Sequence, residues 1–130
     1  MNASSAQEID AGFDAFGLQK VGSVIVGSDP SYYVRREQIL ALAARHAIPA
    51  VYEQREYVDA GGLMSYGTNT RDGYRLAATY VGRILKGEKP ADLPVVQETK
   101  FELLFNIKTA KTLGIKIPDN VLSLADDVIE

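Results

Sequence analysis

The chain contains no cysteine, so a disulfide framework, a thiolate nucleophile and a Cys-ligated zinc are all excluded. It has a single histidine, His46, which rules out a multi-histidine metal centre within one copy. Basic charge is also in short supply: 14 Lys and Arg stand against 17 Asp and Glu, a net charge of −3. That balance provides no basic field for phosphate neutralisation and no polybasic membrane anchor. No apolar run approaches the ~20 residues a membrane span needs. The opening MNASSAQEID lacks the basic and apolar regions of a secretory leader, so the chain as written is expected to stay in the cytoplasm. Phosphate loops are missing too, because Gly22, Gly27 and Gly61-Gly62 form neither GxGxxG nor a Walker motif, and Ser28 is not in a GxSxG elbow. No bound cofactor is implied.

What remains, 130 residues with 46% hydrophobic and 24% charged, is the composition of one ordinary globular domain. Ser4 and Ser5 precede an acidic first turn, and Ile9, Phe13 and Phe16 follow at helical spacing up to a stop at Gly17. Val21–Gly27 is a β-branched run between glycines and is expected to be a strand buried on both faces. Asp29 or Ser31 can cap the segment after it. Residues 35–47 predict a helix with Ile39, Leu42 and Ala43 inward. Ile48–Glu53 predicts a strand, with Pro49 tolerated at its start. Glu53–Glu56 reads as a polar connection, and Gly61–Gly67 as a third strand.

The plainest helix is Asp72–Lys86, whose Tyr74, Ala77, Ala78, Val81 and Leu85 form a packing stripe that ends at Gly87. A loop over Lys89–Pro94, a strand over Lys100–Asn106, a short helix over Thr109–Leu113 and a mostly helical tail from Pro118 complete the pattern. Strands alternating with helices predict an α/β fold with a mostly parallel sheet flanked by helices. The chain opens on a helix where a doubly wound unit ordinarily opens on a strand, so a preceding strand is expected to be missing.

Open α/β sheets bind ligands beyond the C-terminal ends of their strands. That rule selects residues 28–33 after the first strand, with Ser28, Asp29, Tyr32 and Tyr33; residues 52–57 after the second, with Tyr52, Glu53 and Arg55; and residues 65–68 after the third, with Ser65 and Tyr66. Five of the seven tyrosines fall in these segments: Tyr32, Tyr33, Tyr52, Tyr57 and Tyr66. Aromatic rings provide apolar walls, a carboxylate holds an ammonium, and an arginine forks a carboxylate. The same residues also fit an ordinary solvated edge, and spacing does not separate the two readings. Asp29, Glu53 and Glu56 could in principle form an acid–base pair. Carboxylates are common at strand ends, however, and His46 fits a helix C-terminus better than a catalytic site.

The segments EIDAGF, VGSDP, LAARHAIPAVYEQREYVDAGGLMSYGT, YVGRILKGEKPADLPV and KFELLFNIKTAKTLGI together resemble the C-terminal portion of ABC-transporter substrate-binding proteins, in the subgroup of the tryptophan/tyrosine type. The resemblance runs from about Asn2 to Glu130. It implies part of a type I periplasmic-binding fold, in which two α/β lobes close over a ligand. On that plan residues 1–61 correspond to the second lobe. Residues 62–93 are a crossover and a helix belonging to the first lobe, and residues 94–130 are the last crossing strand with the C-terminal helices. It further implies reversible binding of a small solute, an amino acid or aromatic acid, with no catalysis, delivery to a membrane permease, and a periplasmic location for the longer parent.

Asp29 would hold a ligand amino group. Tyr52, Glu53 and Arg55 would face the cleft, and Ser65 and Tyr66 would contact ligand or serve as hinge. A sensing or interaction domain of the same fold is the alternative, with an α/β enzyme behind it. If the first lobe is absent, the Tyr74–Leu85 stripe is expected to be exposed and the chain to form a homodimer through it.

Overall fold

The computed structural model describes residues 3–97 and 99–130; Met1, Asn2 and Glu98 lie outside it, and with them the first two residues of the segment read for a leader. The chain opens with helix α1 (Ala6–Leu18), which Ser5 caps in a reciprocal box with Glu8. The Ser5 hydroxyl accepts from the Glu8 amide while the Glu8 carboxylate accepts from the Ser5 amide, satisfying donors a helix start leaves free. Strand β1 (Val24–Ile25) follows, then helices α2 (Pro30–Val34) and α3 (Arg36–Arg45), strand β2 (Ala50–Tyr52) and helix α4 (Arg55–Asp59). Strand β3 (Met64–Thr68) leads into helix α5 (Thr70–Leu85) and a 3-10 turn at Pro90–Asp92. Strand β4 (Phe101–Asn106), helices α6 (Ile107–Thr112) and α7 (Asp119–Leu122) and strand β5 (Asp127–Ile129) complete the chain.

The five strands form one sheet in the order β1-β2-β3-β4-β5. Three of the four pairings are parallel, and β3–β4 is antiparallel, with Met64 opposite Phe105 and Thr68 opposite Phe101. The mostly parallel α/β sheet flanked by helices is therefore present as expected. Both β3 and β4 belong to this sheet, so α5, residues 86–97 and residues 99–100 form an excursion from it.

One face of the sheet carries the core. Ala50 and Tyr52 of β2 join Ile9 and Phe13 of α1, Ile39, Leu42 and Ala43 of α3, and Tyr57 of α4 in a single buried cluster. Strand alternation sends Ile25, Val51 and Tyr66 to the other face, where Ile25 is 80% and Tyr66 57% exposed.

Three expectations are corrected. The first strand is not a long run buried on both faces; it is two residues paired only to β2, and its outward Ile25 is exposed. An edge strand with helices on one side has only one buried face. The polar segment after β2 winds into α4, whose Tyr57 and Val58 are buried, so a two-residue apolar anchor was sufficient. The tail is not mostly helical: α7 has four residues, and Asp127–Ile129 pairs with β4 as a parallel strand. Its apolar Val128 and Ile129 form too short a run to show a strand period.

Candidate functional site

β1 and β2 are parallel and end together, so the segments that leave them meet at one edge. There a groove of about 450 Å³ opens. Its walls include Ser28, Asp29 and Tyr33 from the first exit and Glu53, Gln54, Glu56 and Tyr57 from the second. Thr70, Arg71 and Tyr74, from the first turns of α5, close a third side.

Local sequence explains each wall. Asp29 is the N-cap of α2: its Oδ1 accepts from the Ser31 amide at 2.7 Å and the Ser31 hydroxyl at 2.6 Å, while Pro30 takes the first helical turn. Those hydrogen bonds, the hydroxyl's first, hold its carboxyl below the usual range. Tyr57 stacks on Tyr52 with ring centroids 4.6 Å apart. Burial pushes the Tyr57 phenol up to about 12 and raises that of Tyr52 further, so both remain neutral donors at physiological pH. The Arg36 guanidinium lies 5.2 Å from the Tyr33 ring centre. Gln54 presents a buried side-chain oxygen without a hydrogen-bond partner, an arrangement that costs about 1–3 kcal/mol and is often tied to function.

The residues selected from sequence separate into groups. Ser28, Asp29, Tyr33 and Glu53 share the groove. Arg55 and Ser65 line a smaller hollow of about 80 Å³ beside it, which Glu53 and Arg71 also border. There the Arg55 guanidinium is engaged by Asp127 at 2.7 Å and Asp59 at 3.3 Å, tying α4 to β5. Tyr52 lies in the core beneath Tyr57. Tyr32 lines an apolar hollow between α1 and β1, and its hydroxyl accepts from the Ala3 amide at 3.2 Å. Tyr66 stands on the other face of the sheet and stacks on Phe101 at 5.4 Å.

Sequence reasoning missed Arg71 and Tyr74 as groove residues, while Gln54 lies inside the segment selected after the second strand. Tyr74, expected in a packing stripe, is exposed and lines the groove instead. Extending the strand-exit rule three residues past β3 would have reached Arg71. That geometry depends on Gly67, because a Cβ there would sit 2.0 Å from the Glu53 carbonyl oxygen, and only glycine lets β3 pass under the exit of β2.

His46 caps the C-terminus of α3, with Nε2 3.2 Å from Asp14 Oδ1 but outside hydrogen-bonding geometry. Among the described residues no cluster of three potential metal ligands occurs, and no helix is long and apolar enough to cross a membrane.

The chain is an α/β module: a mostly parallel sheet flanked by helices, with an open concavity of mixed aromatic and charged lining at its strand exits. Residues 3–129 match the family of ABC transporter substrate binding proteins, and the chain belongs to that family. No curated protein matches it.

Two solved structures superpose closely. One is a conserved domain protein from Vibrio cholerae (25% identity, TM-score 0.88) and the other the ABC domain in complex with L-Trp from Streptococcus pneumonia (28% identity, TM-score 0.87). Each covers 98% of this chain, which in turn spans 43% and 44% of their lengths. The ligand-free, open structure of CD0873, a substrate binding protein with adhesive properties from Clostridium difficile, shares the fold at 23% identity and TM-score 0.65; it covers 99% of this chain, which spans 43% of it. The fold is thus part of the periplasmic-binding architecture.

Proposed function

We propose that the groove is one wall of a solute-binding cleft, and that its ligand is a small organic molecule joining an apolar or aromatic body to charge, such as an amino acid or an aromatic acid. The observation that carries the reading is the convergence of Tyr33, Tyr57 and Tyr74 with Asp29, Glu53, Glu56 and Arg71 at the strand exits. In this reading Tyr33 and Tyr74 sandwich the body. Glu53 receives an ammonium group, aided by the Asp29 oxygen not used in capping, and Ser28 adds a hydroxyl. Arg71, in no ion pair among the described residues, forks a carboxylate. Arg55 and Ser65 support the Glu53 segment from the neighbouring hollow, Tyr52 backs Tyr57, and Tyr66 lies outside the cleft, as does Tyr32. The family name and the L-Trp in a relative 28% identical to this chain support the reading.

The opposing wall comes from a second α/β lobe, since relatives of the same fold are more than twice as long. Residues 1–61 then form the body of one lobe, the α5 excursion within residues 62–93 reaches the other, and residues 94–130 return. Binding is reversible, without bond-making, and the complete protein hands its solute to an ABC permease from the periplasmic side.

The test is an NMR titration of the chain with L-tryptophan, L-tyrosine and aromatic acids. One wall alone should bind with a Kd of about 1 mM or weaker, with shifts confined to residues 27–34, 53–57 and 70–74. Tyr33→Ala and Glu53→Gln should abolish them. Shifts scattered elsewhere, or none at saturating ligand, would remove the groove from consideration.

A further inference from the structure

We propose that Tyr57 determines the specificity of the groove: its hydroxyl pairs with an N–H or O–H carried by the ligand's own ring, so an amino acid with such a ring is selected over one whose ring is hydrocarbon alone. The inference rests on the groove being a solute site and names the class of solute it takes.

Tyr57 is 4% exposed, and it lines the groove. Among the described residues its hydroxyl makes no hydrogen bond; the side chains that act on its oxygen through charge are Arg36, Tyr33 and Glu53. Tyr33 and Glu53 are walls of the same groove, which puts that oxygen at its floor. The other two groove tyrosines differ, since Tyr33 is 38% and Tyr74 74% exposed and water reaches them freely. A buried hydroxyl ordinarily has a partner. At Tyr57 the partner depends on what enters the groove. Gln54, in the same segment, also keeps an unpartnered oxygen, so this wall holds more hydrogen-bonding capacity than the protein itself satisfies.

The ring is held where it is. It stacks on Tyr52 with 12° between the planes, and the Tyr57 carbonyl accepts from the Gly62 amide at 2.7 Å. A Cβ at Gly62 would stand 2.7 Å from Tyr52 Cε2 and 2.8 Å from that carbonyl oxygen, so only glycine permits the arrangement.

The hydroxyl is also neutral, because burial before any charge pushes its phenol up to about 12. A neutral hydroxyl accepts from an N–H and can exchange either role with an O–H. With Glu53 and Arg71 taking the charged ends of the ligand and Tyr33 and Tyr74 its flat body, the floor hydroxyl faces the edge of that body. A ring with nothing polar at that edge leaves Tyr57 unpaired and is disfavoured.

The test is an NMR titration of the 130-residue chain and its Tyr57→Phe variant with L-tryptophan and L-phenylalanine. Tyr57→Phe should weaken L-tryptophan by about 3–10-fold and leave L-phenylalanine unchanged. The variant should melt at or above the wild-type temperature, since the hydroxyl it loses has no partner and the stack on Tyr52 remains. Tyr66→Phe, on the far face of the sheet, should alter the affinity for neither ligand. Equal weakening of both ligands by Tyr57→Phe, or of neither, overturns the role of Tyr57 and leaves the groove reading standing. A variant that melts below wild type overturns it as well, because the hydroxyl then serves the fold. If neither ligand shifts the groove resonances of the wild type, the groove reading fails and this inference falls with it.

Discussion

α3 and α5 are both amphipathic helices, yet they meet different fates. α3 places Ile39, Leu42 and Ala43 against β2 and α1 and buries all three. α5 carries a longer stripe and the larger hydrophobic asymmetry, and buries nothing. Amphipathicity thus states that a helix has an inner face, and the surroundings decide whether anything lies against it. The short connections around α3 fold it back on the strand it follows, whereas α5 departs where Gly67 lets β3 slide past Glu53, and its return is bound only along its back.

The comparison breaks most visibly in the core. Leu42→Ala should destabilise the domain by about 2–5 kcal/mol in chemical unfolding. Leu85→Ala should change it by less than about 0.5 kcal/mol, because that side chain is exposed. Equal losses would mean that α5 is packed in solution.

Next in size is Gly67→Ala, expected to cost about 1–3 kcal/mol by forcing β3 and the Glu53 carbonyl apart. The same change should alter the groove's amide resonances on both strand exits.

Helix caps give a smaller and more local contrast. Ser5→Ala should lower global stability by about 1 kcal/mol, because α1 unfolds with the core. Asn69 accepts from the Arg71 amide at the start of α5, and Asn69→Ala should speed amide exchange along α5 while leaving that of α3 unchanged.

The smallest effect is in acid. The Arg55 guanidinium beside Asp127 holds that carboxyl below its ordinary value, so the tie contributes fully above the ordinary carboxylate range and is lost as pH falls through the lowered value. Asp127→Asn should therefore flatten the stability profile below about pH 4, with little change at neutral pH beyond loss of the pair itself.

Local signals were legible wherever chemistry and period agreed. The helix start at Ser4-Ser5 with its acidic first turn, a cap at Asp29 (one of the two candidates, with Ser31) and the inward Ile39, Leu42 and Ala43 are all present. The strand-exit rule found Ser28, Asp29, Tyr33 and Glu53, and its segments also held the groove residues Gln54, Glu56 and Tyr57. It also drew in Tyr52, Tyr32 and Tyr66, which the structure puts in the core, in a separate hollow and on the far face, because proximity in sequence to a strand end does not say which way a ring points. α4 and β5 were missed because each rests on two apolar residues, too few for a period and enough once a neighbouring strand is in place.

The sequence by itself determined the α/β alternation, the caps, the inward face of α3 and the family, since these rest on neighbouring residues and on segments read in order. Tertiary structure alone decided the antiparallel β3–β4 pairing, the meeting of Arg71 and Tyr74 with Glu53, and the exposure of the α5 stripe. The physical reason is that pairing register, close backbone approach and burial are relations between residues far apart in the chain, fixed only when both partners are in position.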